Sequence, residues 1–261
     1  MKNKVFLDAC ILVAASIYIV SEGFSIPIKH KYFDQCMNLL GFLKKNVNKR
    51  IGTYTTRVED EAFQVLQKAV TDVIGRELKK PSINREVVYR NMSIYVNQCE
   101  ERLREIRDYL VREPIHPVQE SKIFLQVTNM YEELKKEAQS LNPQNLAYEQ
   151  AGVAPIGYKT IAYEIYKDQR NVEGAQLINL LYNPPGDNDK LHLSGAIYLN
   201  NLYKQMESKD ITFYFASTDH HFSPMRFPGA KESRKVTDEI ERRFGIICDR
   251  PQQILNIISK K

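Results

Sequence analysis

Four acidic residues in this sequence stand next to apolar segments, where a carboxylate could hold a divalent cation. They are Asp8, Glu61, Asp189 and Asp219. A carboxylate at the edge of a buried segment is costly unless a cation or hydrogen-bond donors compensate its charge. Open α/β sheets bind their ligands at the carboxyl ends of the strands. These residues are therefore candidate metal ligands, and their positions depend on the elements around them.

Asp8 follows the apolar segment Val5-Phe6-Leu7, which predicts a buried parallel strand. A helix is expected from about Ala9, so Asp8 could also serve only as its N-cap. Lys2 and the apolar run after it resemble a secretory signal. Asp8 interrupts that run, and a charged residue there is poorly tolerated in a membrane-inserting segment. We therefore interpret the run as a strand followed by a helix.

Glu61 lies in a helix that should follow a short strand over residues 51–55. Thr56 and Glu59 have the spacing of a capping box, which opens a helix and accounts for Glu59. Asp60 is expected to be exposed to solvent. Glu61 falls on or beside the apolar stripe and should face inward, so it is the second candidate ligand.

Asp189 precedes an apolar helix over residues 191–199, where it could also be only an N-cap. Asp187 precedes the same helix and is a lower-ranked candidate for the same ligand position. The apolar segment 211–216 predicts a buried strand that runs into Thr218 and Asp219.

His220 and His221 follow Asp219 directly. An adjacent pair should point its rings in different directions and chelate a metal poorly. We expect both histidines to be loop residues, near a substrate phosphate at most.

Residues 80–142 carry apolar residues at steps of three and four between charged faces. Two helices, over residues 88–110 and 124–141, should form an antiparallel helical hairpin around Pro114 and Pro117. The hairpin could be an inert buttress of the main fold, an arm that grips RNA or a dimerising arm. A loop-like link and two shorter helices, over residues 160–167 and 172–181, should follow.

The composition is that of a globular protein, with 43% hydrophobic and 26% charged residues. Lys and Arg total 37 against 32 Asp and Glu, a mild excess that permits a nucleic-acid partner without requiring one. The four cysteines have no zinc-binding or disulfide spacing, so we expect reduced thiols in a cytoplasm. No stretch is apolar enough to predict a membrane span.

The order of these segments resembles the PIN-domain nucleases, the family that includes the toxin ribonucleases of toxin–antitoxin pairs. Four segments of this chain resemble the family's four motifs in order: Val5–Leu12, Thr55–Glu61, Asp189–Ala196 and Phe215–Phe222. The end of the chain also fits, since Phe244–Pro251 is similar to the family's closing strand and proline. Glu61 and Asp189 stand further apart than in the compact toxins, and the hairpin accounts for most of the excess.

The resemblance implies a three-layer α/β/α fold with a central parallel sheet and an inserted hairpin. Alternating buried strands and amphipathic helices indicate the same fold class. The PIN-like core would span residues 1–79 and 158–261, and the hairpin with its link would span residues 80–157. The four carboxylates would then converge, and because they repel one another they would need a cation.

All-oxygen ligation favours Mg²⁺ or Mn²⁺ as that cation. We expect Asp8 and Asp219 to bind it directly. Glu61 and Asp189 should complete the site through water or a second ion, and Thr218 should supply an orienting hydroxyl.

The function implied is a metal-dependent endonuclease that hydrolyses single-stranded or structured RNA. One alternative is a nuclease of the same fold that cuts DNA, including flap substrates. Another is a non-catalytic binding or scaffold protein. A phosphatase with an aspartyl nucleophile is a third, although the segment after Asp8 lacks a second aspartate two positions on. The sequence leaves open whether an inhibitory protein binds and whether the chain forms a homodimer.

Overall fold

The structure is a computed structural model, and it describes residues 2–21, 24, 26–80, 83–141, 174–207, 210–225 and 232–260. The predicted helix over residues 160–167 and the link before it lie outside the described residues.

The fold is α/β, with a five-stranded, all-parallel central sheet flanked by helices. The strand order is β5-β4-β1-β6-β7. A separate two-stranded antiparallel sheet pairs β2 with β3. The predicted fold class is therefore confirmed. The strands are β1 (Lys2–Leu7), β2 (Tyr18–Ile19), β3 (Ile28–Lys29), β4 (Gly52–Thr55), β5 (Val111–Glu113), β6 (Ile211–Ala216) and β7 (Ile246–Asp249).

The described residues contain ten α-helices, most of them amphipathic as the spacing of apolar residues predicts. They are α1 (Ala9–Ser16), α2 (Phe33–Lys45), α3 (Thr56–Glu77), α4 (Arg85–Arg90), α5 (Met92–Arg107), α6 (Pro117–Leu141), α7 (Gly174–Tyr182), α8 (Asp187–Met206), α9 (Lys235–Phe244) and α10 (Pro251–Ile258). None of them contains a stretch apolar enough to cross a lipid bilayer.

The chain divides into two compact units. The first unit contains residues 1–114, 216–218 and 250–261, and the second contains residues 115–215 and 219–249. The boundary between the units crosses the chain on both sides of residues 216–218. These three residues, which include Thr218, belong to the first unit, whereas Asp219 belongs to the second.

In the first unit, β1 pairs with β4 and β4 pairs with β5, both in parallel. Helix α1 is buried almost all round and packs against α2, α3 and α5. Gly52 begins β4 where a Cβ would lie 2.8 Å from Leu110 and 2.9 Å from Leu43. This close approach favours glycine because both neighbours are in the core.

Strand β5 was not predicted. It lies in the chain between the two helices of the predicted hairpin, and its pairing with β4 places part of the range 80–157 in the central sheet. The first hairpin helix is present as α4 and α5, separated at Asn91, and the second is present as α6. The pairing of these helices in a hairpin stays a prediction.

The predicted capping box at the start of α3 is wrong. The N-cap is Thr55, whose hydroxyl accepts a bond from Val58 N, one residue earlier than expected. Glu59 instead forms ion pairs with Arg107 at 2.6 Å and with Arg112 at 3.0 Å. Arginines from α5 and β5 therefore account for this buried acid, which does not cap the helix.

In the second unit, α6 packs against α7 and α8, and α9 packs against β7. Gly245 ends α9 in the left-handed conformation, with φ 65°, a backbone state that glycine adopts without strain. A buried amide, Gln176, ties α7 to α9 by accepting a 2.7 Å bond from Val236 N. The strand and helix predicted here, 211–216 and 191–199, are confirmed as β6 and part of α8.

Candidate metal site

Asp8 lies at the carboxyl end of β1, as predicted, and is 4% exposed. It caps α1, because its Oδ1 accepts a 2.8 Å bond from Ala9 N. Its Oδ2 accepts 2.7 Å and 3.0 Å bonds from Ser217 Oγ and Cys10 Sγ. The capping alternative for Asp8 is thus correct, and the carboxylate is also buried and hydrogen-bonded on both oxygens.

Cys10 and Ser217 were missed as partners of Asp8. Thr218 N donates a 3.2 Å bond to Cys10 Sγ, and Asp8 N donates a 3.1 Å bond to Ala216 O. These bonds join the end of β6 to the end of β1. Burial, and then the charge of Asp8, raises the pKa of the Cys10 thiol well above its ordinary value, so this thiol stays protonated.

Glu61 lies in the second turn of α3, in the first unit, and is half-buried. The inward position predicted for Glu61 is instead that of Glu59, which is 8% exposed. The sequence pattern assigned Glu59 to a helix cap and Glu61 to the apolar stripe, but Glu59 is the acid that forms ion pairs with arginines on α5 and β5.

Asp189 and Asp219 lie in the second unit, and His221 joins them. His221 Nδ1 lies 2.8 Å from Asp219 Oδ1 and 3.7 Å from Asp189 Oδ2. Asp219 Oδ1 also accepts a 2.8 Å bond from His221 N. The structure thus brings together two of the four predicted acids, from the start of α8 and from the loop after β6.

Asp189 also caps the helix, although Gly186 and not Asp189 is its N-cap, so the N-cap alternative for Asp189 is wrong. Helix α8 begins at Asp187, and Asp189 Oδ2 accepts a 2.8 Å bond from Gly186 N. Asp187 is 80% exposed and pairs with Lys190 at 3.3 Å. Asp189 is therefore the one of the two acids that lies near His221.

The expectation that the two histidine rings point apart is wrong. Their centroids are 4.3 Å apart, and His220 Nδ1 lies 3.4 Å from Asp219 Oδ1. Asn183 holds both rings: its carbonyl oxygen is 2.7 Å from His221 Nε2, and its side-chain amide is 2.5 Å from His220 Nε2. Ligand atoms of Asp219, His220 and His221 all lie within 4.8 Å of one another, close enough to share one metal ion.

The charges in this cluster shift one another's protonation. Burial acts to lower the pKa of His221, but its contacts with Asp219 outweigh burial and raise the pKa above the ordinary value. Burial likewise acts to raise the pKa of Asp219, and the contact with His221 outweighs it and lowers the pKa. The pair therefore favours a protonated ring beside an ionised carboxylate.

Tyr131 lies on α6, in the range where apolar residues recur at steps of three and four, and the charges of two acids of the cluster act on it. Burial raises the pKa of its phenol well above the ordinary value, and the charges of Cys248, Asp189 and Asp219 add to the shift. Its hydroxyl is buried and makes no hydrogen bond within the described part of the chain. The sequence gives no signal for this, because tyrosines on apolar helix stripes usually only pack.

The four predicted ligands are thus distributed over both units, Asp8 and Glu61 in the first and Asp189 and Asp219 in the second. That all four bind one ion stays a prediction. No family model, no curated protein and no solved structure matches this chain. The resemblance to PIN-domain nucleases therefore rests on the sequence motifs.

Proposed function

We propose that this protein is a metal-dependent endonuclease that hydrolyses phosphodiester bonds of RNA. The observation that carries the proposal is the contact of Asp189 and Asp219 with one buried ring nitrogen, just after the carboxyl end of β6. Ligand sites of open parallel sheets lie at such strand ends. Asp8 occupies the same kind of position at the end of β1.

The donor atoms suit a divalent cation. Two carboxylates and a ring nitrogen surround a position that is buried on one side, while Asp219 remains 31% exposed. Carboxylate oxygens fit Mg²⁺ and Mn²⁺, and the nearby imidazoles fit Mn²⁺ better than Mg²⁺. When bound, the ion would supply Lewis acidity to a phosphodiester and charge neutralisation for the leaving oxygen.

The roles proposed for the chain's own residues are those expected from the sequence motifs. Within the second unit, Asp219 binds the ion directly and Asp189 holds a solvent ligand in place. Asn183 fixes both histidine rings. Thr218, half-buried between Ser217 and Asp219, supplies a hydroxyl that orients the substrate phosphate. The mild positive charge of the chain favours a polyanionic substrate.

The test is a cleavage assay with three labelled substrates of matched sequence: single-stranded RNA, single-stranded DNA and a DNA flap. We expect internal cleavage of the RNA with Mn²⁺ and none after EDTA. Preference for either DNA substrate would instead support the DNA nuclease. Purified protein that binds Mn²⁺ and cuts none of the three would overturn the proposal in favour of a binding or scaffold protein.

A further inference from the structure

We propose that His221 is a metal ligand beside Asp219 and Asp189, so that the second unit holds a mixed nitrogen and oxygen site that prefers Mn²⁺ to Mg²⁺. The inference deepens the proposed function, on which the role of the ion rests, because it names the ligands and the kind of ion. Ion binding itself can be measured without any cleavage.

The hydrogen bond of His221 Nε2 indicates which tautomer the ring adopts. Its Nε2 lies 2.7 Å from the carbonyl oxygen of Asn183, which can only accept, so Nε2 bears the proton. In the neutral ring Nδ1 then carries a lone pair, and it lies 2.8 Å from Asp219 Oδ1. Two lone pairs at this distance repel unless a proton or a metal ion lies between them, and a metal ion bound here takes the place of that proton. Metal-bound histidines commonly have this arrangement, with the second ring nitrogen donating to a backbone carbonyl.

The burial of His221 carries the second step. Its side chain is 7% exposed, and Nδ1 forms no hydrogen bond of normal geometry with any described residue, despite the nearby carboxylate. A buried ring nitrogen without a well-directed partner is costly. A metal ion bound at Nδ1 would remove that cost.

The separations of the ligand atoms carry the third step. Metal bonds of about 2.1 Å hold neighbouring ligand atoms about 3.0 to 3.4 Å apart in octahedral or tetrahedral sites. Asp219 Oδ1 lies 2.8 Å from His221 Nδ1, slightly under this range. His220 Nδ1, at 3.4 Å from the same oxygen, bears the proton of its ring, because the side-chain amide of Asn183 donates to His220 Nε2. Asp189 Oδ2, at 3.7 Å from His221 Nδ1, is slightly further and fits a ligand bound directly or through water.

Tyr131 provides an independent observation. Its hydroxyl is buried, lacks a hydrogen-bond partner among the described residues and is subject to the charges of Asp189 and Asp219. A hydroxyl in that setting is satisfied when a water bound to the ion accepts a hydrogen bond from it. Buried polar atoms without a hydrogen-bond partner among the described residues thus come from two separate elements, α6 and the loop after β6.

The donor types decide which ion binds. Imidazole nitrogen suits first-row transition ions, among which Mn²⁺ binds most weakly, whereas Mg²⁺ demands oxygen ligands and keeps most of its waters. A site with one imidazole should therefore still bind Mn²⁺ about tenfold or more tightly than Mg²⁺.

The experiment titrates the full chain with Mn²⁺ alone and Mg²⁺ alone by calorimetry, and records pulsed electron paramagnetic resonance of bound Mn²⁺. We expect one tight Mn²⁺ site whose spectrum shows ¹⁴N coupling from imidazole. His221→Gln should weaken Mn²⁺ about tenfold or more, change Mg²⁺ affinity little and reduce the ¹⁴N coupling.

Asp187→Asn is the matched control, because it removes an exposed carboxylate from the same helix end as Asp189. It should leave Mn²⁺ affinity unchanged. Absence of ¹⁴N coupling in the wild type, or equal affinity for the two ions, would overturn the inference even if RNA is cleaved. A nitrogen-coupled Mn²⁺ site without cleavage would support the inference and refute the proposed function.

Discussion

Ser217 donates a 2.7 Å hydrogen bond to Asp8 Oδ2, although 209 positions separate the two residues in the chain. Both side chains are buried. The bond satisfies one oxygen of a carboxylate that is largely removed from water, while Ala9 N satisfies the other. It therefore fixes the carboxyl end of β1 against the segment that follows β6.

Ser217→Ala should lower the free energy of unfolding by about 1 to 3 kcal/mol, because it removes a donor from a buried carboxylate oxygen. Urea unfolding followed by circular dichroism measures the change. Ser121→Ala is the control, since the Ser121 hydroxyl is exposed and bonds only to Pro117 O of its own helix. Equal stability of the two variants would show that the Asp8 contact contributes nothing.

Glu59→Gln should also destabilise the protein, by about 1 to 3 kcal/mol, because Arg107 and Arg112 lose the carboxylate they share. The neighbouring Asp60 is exposed, so Asp60→Asn should change stability by less than about 0.5 kcal/mol. Thermal unfolding of the two variants compares them. A Glu59→Gln protein as stable as the wild type would contradict the structural role assigned to this acid.

Two buried tyrosines should respond oppositely to loss of their hydroxyls. The Tyr131 hydroxyl lacks a partner among the described residues, whereas the Tyr95 hydroxyl is 2.7 Å from Ser21 Oγ. In metal-free protein Tyr131→Phe should stabilise, and Tyr95→Phe should destabilise, each by about 1 kcal/mol. Urea unfolding in EDTA measures both. Destabilisation by Tyr131→Phe would mean that its hydroxyl is already satisfied.

His30 should make stability fall in mild acid. Burial, and then the charges of Lys31 and Arg76, lowers its pKa from 6.5 to about 4. Below pH 6.5 His30 is protonated in the unfolded chain, whereas in the folded chain it stays neutral down to about pH 4. The free energy of unfolding therefore falls as the pH falls across that window. The contribution is about 1 kcal/mol, since solvent screens a partly exposed group.

The measurement is urea unfolding of wild type and His30→Gln from pH 7.5 to 4. Other groups titrate in both proteins, so the difference between the two curves isolates His30. The difference should change between pH 6.5 and 4 and be constant above pH 7. A constant difference throughout would show that the pKa of His30 is not lowered.

The strands were predictable where their apolar residues are continuous. The segment 211–216 is six residues that are all apolar except Thr212, and it forms β6 with the predicted bounds. Strand β5 has only three residues, two of them charged, and none of its three residues is fully buried. It is a strand because β4 offers an unpaired edge, and a single sequence does not reveal which edge will be available.

The candidate site was predictable only in part, for a similar reason. Asp8 and Asp219 were found because they end apolar strands, which is a local signal. The orientation of His221 is set by Asn183, which lies 38 positions earlier in the chain, and no local pattern encodes that contact. Glu59 was assigned to a cap for the same reason, since Arg107 lies 48 positions away.

The most direct test of the proposed nuclease is the rate of RNA cleavage with Mn²⁺ by wild type, Asp219→Asn and Asp187→Asn. Asp219 faces both histidines, whereas Asp187 is an exposed acid at the start of α8. We predict that Asp219→Asn lowers the rate about 100-fold or more while Asp187→Asn keeps the wild-type rate. An Asp219→Asn protein that is folded and cleaves RNA at the wild-type rate would contradict the account.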